Sequence, residues 1–347
     1  MRHLLITILL LFSLAIPVQA LDLQAPAVPE SGKAFMPNDT ESFSDGLWYI
    51  IKEGMRHIRP SIADCAKICL TAILSVILCS VVKTIPGASA QTTELVGTLL
   101  IGFLIMKTSN AMIHLGANTI QQISNYGKLL FPVLTAALAA GGGVTTSTAL
   151  YTIAVAINSV LSSVISSIIV PAVYAFLCLS IASSAIGNHY LDKIKGFIKW
   201  SITWGLKLVL YVFSAFLSIT GVISGTTDAS ALKATKLTIS GLVPVIGGIL
   251  ADASETVLVS AALVRNAVGI YGLLAVLSIW IGPFIKIGTQ YLMLKMTWSF
   301  CEVFATKETC KLIGDFSTAM GLILAMTGTV CILLLISIVC FMKGVSG

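Results

Sequence analysis

The run "AMGLILAMTGTVCILLLISIVCF", Ala319–Phe341, decides the class of this protein. It carries no charged side chain and exceeds the roughly 20 apolar residues that a helix needs to cross a bilayer. The whole chain of 347 residues has the same character: 56% of its residues are hydrophobic, 10% are charged and the mean hydropathy is +0.97. Soluble domains carry about 25% charged residues. The sequence therefore predicts an all-α membrane protein with several spans.

The other apolar runs predict about six to eight transmembrane helices in total. The remaining candidates are Lys67–Lys83, Leu95 to about Met106, two spans within Ala149–Gly187 separated near Pro171, Trp200–Ser224, and Val257–Phe284 with a mixed segment to Ala305. The cluster of Lys193, Lys195 and Lys199 is the densest local group of basic residues. The positive-inside rule places it in the cytoplasm.

The N-terminal region has three predicted parts. Residues 1–20 combine Arg2, a short apolar run and "PVQA", which is typical of a secretory signal cleaved after Ala20; an uncleaved anchor helix is the alternative. Residues 21–43 contain three prolines and are predicted to be a flexible exported tether. Residues 44–63 predict an amphipathic helix, with Trp48 and Ile51 on its apolar face and Arg56 on its basic face. It suits either a membrane interface or a docking surface for a partner protein.

Residues 64–347 form the predicted membrane domain, with two repeat-like halves at about 95–187 and 200–300 and the final span at 319–341. "LFPVLTAALA" at 130–139 resembles "LVPVIGGILA" at 242–251, and the prolines Pro132 and Pro244 are 112 positions apart. Pro171 and Pro283 have the same separation. This spacing predicts an internal repeat.

Both copies carry a short apolar segment interrupted by proline and glycine, a pattern typical of discontinuous or re-entrant helices that meet near the bilayer midplane. We therefore expect these segments to form the functional centre. The residues concerned are Pro132, Gly141, Gly142, Gly143, Pro244, Gly247, Gly248, Asp252 and Glu255. The two acids either cap the following helix or bind an ion.

A polar stripe continues the span that begins at Leu95. Its members recur at intervals of three or four residues, which places them on one side of a helix. They are Lys107, Asn110, His114, Asn118, Gln121 and Asn125. Such a stripe either lines a water-filled path or marks where the helix leaves the bilayer.

The motifs of common enzymes and metal sites do not occur. The sequence has no HExxH, no Walker-type phosphate loop and no GxSxG, and it lacks the cysteine and histidine spacings of zinc sites. The basic residues are scattered, so nucleic-acid binding has no support. We expect a conduit, transporter or scaffold that is not an enzyme and needs no cofactor or metal.

Longer motifs resemble the stage III sporulation protein AE family of endospore-forming bacteria. The resemblance lies in the exported signal, "SFSDGLWYIIKEGMRHIRPSIADCAKICLTAILSVIL", "GGGVTTSTALY" and "ISGLVPVIGGILADASETVLVSAALVRNAVGIYGLLAV". It covers essentially the whole mature chain.

The resemblance implies a multi-spanning protein of the mother-cell membrane that surrounds the engulfed forespore. It implies a complex with the other stage III sporulation A-operon proteins, including a secretion-type ATPase (AA) and ring-forming AG and AH proteins, and with the forespore protein stage II Q. Within that complex the chain would be the export gate or permease needed for forespore development. A non-conducting scaffold and a stand-alone secondary transporter are the alternatives.

Overall fold

A computed structural model describes residues 24–37, 42–83, 89–187, 190–213, 215 and 247–343, with the side chains of 90, 91, 247–262 and 264 left out. All regular structure in these residues is helical. The helices are α1 (Glu30–Lys33), α2 (Phe43–Arg56), α3 (Ile58–Val82), α4 (Ala90–Ala140), α5 (Val144–Val164), a π-helical segment (Ile165–Ile169), α6 (Val170–Ile186), α7 (190–213), α8 (Gly247–Cys301) and α9 (Lys307–Lys343).

Five helical segments among the described residues are long and apolar enough to cross a membrane. They are Phe43–Val82, Thr92–Ala140, Val144–Ile186, Arg265–Cys301 and Lys307–Lys343. The predicted all-α polytopic class is confirmed. At a rise of about 1.5 Å per residue, α4 with 51 residues and α8 with 55 residues are each more than twice as long as one crossing of a hydrocarbon core of about 30 Å.

Pro132 does not break its helix. The segment around it, predicted as a separate re-entrant element, forms the last turns of α4, and the chain reverses only at Gly141–Gly143. Gly142 has φ of 89°, a conformation that side chains with a Cβ rarely adopt. A proline removes one backbone hydrogen bond, which a long helix packed along its length tolerates. The glycines therefore make the break.

Residues 144–186 form one continuous helical rod instead of the two predicted spans. The rod contains the π-helical turn Ile165–Ile169 directly before Pro171, which occupies the second position of α6. The wider π turn accommodates the missing N–H of the proline within an otherwise unbroken helix.

Helix α8 likewise runs without interruption through Pro283. Gly247 and Gly248 are its first residues, and Asp252 and Glu255 lie within its first three turns. The side chains of Asp252 and Glu255 and all of Pro244 lie outside the described residues. The re-entrant character of the second segment stays a prediction, and so does the internal repeat, because 214 and 216–246 of its second half lie outside the described residues.

The N-terminal region is more ordered than the sequence predicts. The signal segment 1–20 lies outside the described residues, but residues 24–37, expected in a flexible tether, pack against α8. Val28 and Phe35 are buried, and a Cβ at Gly32 would lie 3.0 Å from Ile279. Three prolines restrict the backbone of this stretch, and Phe35 packs beside Gly282 of α8.

The amphipathic helix is shorter than predicted. Helix α2 begins at Phe43 and ends at Arg56, and after a turn at His57 a second helix, α3, begins. Pro60 does not end α2 but lies in the first turn of α3, where a backbone N–H has no intrahelical partner.

Helices α4, α8 and α9 form the core, and close contacts at glycines hold it together. Helix α9 lies parallel to α4, because Gly102 contacts Leu312 while Gly127 contacts Leu334. It lies antiparallel to α8, because Gly314 contacts Trp298 while Gly269 contacts Met342. Small residues at such positions let membrane helices approach closely.

Several turns and charged side chains lie together at one end of this bundle. The turns after Val82, Ile186 and Cys301 meet there, since Lys83 pairs with Glu94 at 3.0 Å and Lys311 pairs with Asp192. A small cavity lined by Lys83, Glu94 and Thr306 joins the first and third of these turns. We call this end of the bundle the loop end.

The glycine contacts predict a selective effect of added methyl groups. In Gly116→Ala the new Cβ would lie 2.3 Å from the Cγ2 methyl of the buried Ile323, so one helix must shift. We expect the free energy of unfolding, measured in detergent micelles, to fall by roughly 1–3 kcal/mol. Gly328→Ala on α9 is the matched control, because nothing lies within 4 Å of its Cβ. Equal stability of the two variants would contradict the close contact.

Candidate functional site

The polar stripe of α4 faces outward. Lys107, Asn110, His114, Asn118, Gln121 and Asn125 are all exposed, whereas Ile113, Ile120 and Ile123 on the opposite side are fully buried. At about 1.5 Å per residue the stripe extends for roughly 27 Å. The predicted one-sided polar surface is therefore present, and it lies within the candidate span Thr92–Ala140.

The chemistry of this exposed face changes along α4. Toward the loop end it is apolar, with Leu95, Leu99 and Phe103 exposed; the polar stripe follows; and Leu129 then restores apolar character at 61% exposure. Thus a polar surface about as long as the thickness of a hydrocarbon core is flanked by apolar exposed side chains on the same helix.

Neighbouring helices widen this polar surface. Tyr174 of α6 donates a hydrogen bond to Oδ1 of Asn110 at 2.5 Å, and Asn158 of α5 donates to the carbonyl of Ser124 at 2.9 Å. Ser159, Ser163 and Ser167 on the same rod are exposed. Gly127, whose Cβ would lie 3.3 Å from Asn158, provides the close approach between α4 and α5.

The proline and glycine residues of the predicted centre have separate places. Pro132 is exposed on α4, and Gly141–Gly143 form the turn to α5. Gly247 and Gly248 begin α8, while Pro244 and the side chains of Asp252 and Glu255 lie outside the described residues. For the predicted centre, the structure therefore describes the exposure only of residues on α4 and in the turn that follows it.

Helix α2 presents two different faces. Gly46, Ile50 and Gly54 pack on α8, where a Cβ at Gly46 would lie 2.5 Å from Leu274. The apolar residues singled out from the sequence, Trp48 and Ile51, point away and are 67% and 37% exposed, and Met55 of the same helix is 51% exposed. Arg56 pairs with Glu53 at 2.8 Å. The spacing of apolar residues in the sequence does not indicate this face, because two of its members are glycines.

A charged cluster at the loop end was not predicted. The side chain of Lys195 is only 6% exposed; it contacts Asp315 of α9 and lies 3.2 Å from Asp192 on its own helix, α7. Lys311 also binds Asp192, and Ser183 of α6 donates to Asp192 at 2.6 Å. The cluster ties α6, α7 and α9 together. Lys195, assigned from sequence to a basic loop, is therefore a buried bridge, and Lys193 and Lys199 are the exposed lysines.

The carboxyl of Asp192 is held in its charged form. Burial disfavours the carboxylate, but hydrogen bonds from Lys311, Ser183 and Lys195 outweigh that effect and hold the pKa of Asp192 well below its usual range. A depressed carboxyl pKa stabilises the fold at neutral pH, and this contribution is lost only as the pH falls below the usual value of about 3.9.

No group of three or more potential metal ligands occurs in the described residues. Three surfaces of the described residues expose polar, apolar or basic groups: the polar stripe, the exposed face of α2 and the basic side chains near the loop end. Their chemistry is that of contact with water, lipid or other proteins.

The comparisons with known proteins agree on one family. Residues 34–344 match the family model described as stage III sporulation protein AE. The chain is also similar to the stage III sporulation protein AE of Bacillus subtilis (strain 168), with 25% identity over 269 residues, which cover 75% of this chain and 67% of that protein. No solved structure matches the chain.

The charged cluster gives a prediction about stability. Lys195→Met leaves the carboxylates of Asp192 and Asp315 without their shared cation, so we expect a loss of roughly 3 kcal/mol at neutral pH, measured by denaturant unfolding in micelles. The deficit should shrink toward acidic pH, because protonated carboxyls no longer need the lysine.

Lys193→Met is the matched control, since Lys193 is exposed on the same helix. A surface substitution of this kind changes stability by about 0.5 kcal/mol or less. If Lys195→Met were no worse than Lys193→Met, or if its deficit were independent of pH, the bridge would not stabilise the fold.

Proposed function

Because the chain belongs to the stage III sporulation protein AE family, we propose that it is the permease-like or export-gate-like membrane component of the channel complex between mother cell and forespore. Its role is specific to sporulation. In this proposal it lies in the mother-cell membrane around the engulfed forespore and assembles with the A-operon proteins, including the ATPase AA and the ring proteins AG and AH, and with stage II Q.

The observation that carries the proposal is the exposed polar stripe on a helix apolar enough to cross a membrane. A charged side chain at the centre of a bilayer costs at least about 2.5–3.5 kcal/mol on translocon scales. Lys107 and the amides of Asn118 and Gln121 would be poor neighbours for lipid. In the assembled complex the stripe faces a water-filled path, and the apolar residues Leu99 and Phe103 face lipid or other subunits.

The geometry also favours a path at an interface between subunits over one inside this chain. The opposite side of α4 packs tightly on α8 and α9, with Ile113 and Ile120 fully buried. The polar surface lies on the outside of the described helices. A closed path therefore needs further polypeptide around the stripe, which a complex of several membrane subunits supplies.

The path predicts that polarity along the stripe is needed for function. The triple variant His114→Leu, Asn118→Leu and Gln121→Leu should insert into the membrane at the wild-type level, because it is more apolar, yet should abolish forespore development. The measurement is spore yield alongside the amount of membrane-inserted protein. A triple variant with exchanged polar groups, His114→Gln, Asn118→Gln and Gln121→Asn, should retain function.

Accessibility provides the control for this experiment. Single cysteines at 110, 114, 118 and 121 in a cysteine-free chain should react with a membrane-impermeant thiol reagent in the assembled complex, whereas cysteines at the buried positions 113 and 120 should not. If the leucine variant sporulated normally, the stripe would not be a path.

A scaffold role is the second candidate, and the exposed face of α2 favours it. Trp48, Ile51 and Met55 are not covered by any part of the chain that the structure describes. An amphipathic helix with such a face can dock into a groove on a partner. The scaffold and the path use different helices, so they are separable by mutation.

If α2 is a docking helix, Trp48→Ala with Ile51→Ala should release partner proteins from complexes purified through this chain. Truncating two exposed apolar anchors typically costs an interface about 2 kcal/mol or more. Leu70→Ala with Leu74→Ala on α3 is the matched control, since these residues are similarly exposed. Unchanged recovery of partners would count against docking through α2.

A further inference from the structure

A basic groove lies between α7, α8 and α9, with a volume of about 480 Å³. Lys199 and Thr203 of α7 form one side, and Tyr291, Lys295 and Trp298 of α8 form the other. Helix α9 supplies the floor with Ser317, Gly314 and Gly321. Lys199 belongs to the basic cluster noted in the sequence, but the proposed path does not involve this groove.

The two lysines of the groove differ from most others near this end of the bundle. Lys83, Lys195 and Lys311 each pair with a carboxylate. Lys199 and Lys295 are exposed, and neither has an ion-pair partner among the described residues. Among the side chains that the structure describes, none that lines the groove is acidic. Two ammonium groups that face one cavity without a carboxylate attract an anion.

The aromatic walls are built into the helix packing. A Cβ at Gly314 would lie 3.3 Å from Cδ1 of Trp298, and a Cβ at Gly321 would lie 3.3 Å from Cε2 of Tyr291. The two glycines of α9 thus allow both rings to lie against its backbone, which leaves the space above Ser317 open. Ser317 itself is fixed by donating to the Tyr291 carbonyl at 3.2 Å.

The position of the groove matches the level of lipid headgroups. Lys295 lies less than two turns from Cys301, where α8 ends at the loop end. On α7 the exposed rings of Phe197, Trp200 and Trp204 form a stack with centroid distances of 6.0 and 5.9 Å. Exposed tryptophans of this kind are enriched where a membrane meets water.

The inner part of the groove is apolar, because Leu322 and Ala325 of α9 line it. A ligand that fills the groove therefore has an anionic group at one end and hydrocarbon at the other. Basic pockets between membrane helices bind the phosphate groups of anionic lipids.

We infer that this groove binds the headgroup of an anionic phospholipid, with Lys199 and Lys295 contacting its phosphate and the apolar inner part receiving the start of an acyl chain. The lipid comes from the leaflet at the loop end, which the lysine-rich sequence around 193–199 assigns to the cytoplasmic side. The phosphate of the bound lipid would supply a negative charge between Lys199 of α7 and Lys295 of α8. This inference is independent of the proposed path.

The test uses the full-length chain in nanodiscs of phosphatidylcholine that contain a small fraction of phosphatidylglycerol. After extraction into detergent, native mass spectrometry measures how much phosphatidylglycerol stays bound. Lys199→Gln with Lys295→Gln should lower this retention about thirty-fold, since each lysine near an anionic headgroup contributes roughly a factor of five in affinity.

The matched control is Lys193→Gln with Lys207→Gln, which removes the same charge from exposed positions of α7 outside the groove. It should retain the lipid like the wild type. Lys199→Arg with Lys295→Arg keeps both charges and should also retain it. Circular dichroism and melting in pure phosphatidylcholine nanodiscs check that all variants fold.

Three outcomes would overturn the inference. The first is equal loss of lipid in the groove and control variants, which would mean general attraction between the protein and the membrane. The second is unchanged retention in the groove variant. The third is that inorganic phosphate at millimolar concentration stabilises the protein in pure phosphatidylcholine as strongly as phosphatidylglycerol does, which would identify a site for free phosphate.

Discussion

The close approach of three long helices at glycines is the constraint on which the rest of this structure depends. Gly116 and Gly127 of α4, Gly269 of α8 and Gly321 of α9 each meet a large side chain of a neighbouring helix. Membrane helices gain little from hydrophobic association and rely on such packing. Because α4, α8 and α9 share one interior, this packing determines which side of each helix faces outward.

This core explains why the polar residues occupy a few separate surfaces. Apolar side chains of α4 fill the interior, so its amides, His114 and Lys107 must lie on the outside, where they need water or another polar subunit. The core also brings three turns to one end, where Lys195 is buried between carboxylates of α7 and α9. Lys199 and Lys295, which pair with no carboxylate among the described residues, face a groove that suits a phosphate.

The prolines illustrate how far local signals can mislead in a long helix. Pro132 and Pro283 lie inside continuous helices, and Pro171 follows a π-helical turn. A single missing N–H costs one hydrogen bond, which tens of residues of side-chain packing outweigh. The glycines at 141–143 reverse the chain because Gly142 adopts a positive φ. A residue with a Cβ would be strained in that conformation, and side-chain packing does not remove this strain.

The sequence by itself determined the all-α membrane class, the family, the existence of a one-sided polar stripe and the final span, because each follows from local composition, period or extended similarity. Only the tertiary structure decided that residues 24–37 pack on α8, that α2 binds through glycines and leaves Trp48 exposed, and that Lys195 is a buried bridge while Lys199 lines a groove. These features join helices that are far apart in the sequence. Whether a lysine meets a carboxylate or an open cavity depends on which helices become neighbours, and hydropathy along one chain contains no information on that.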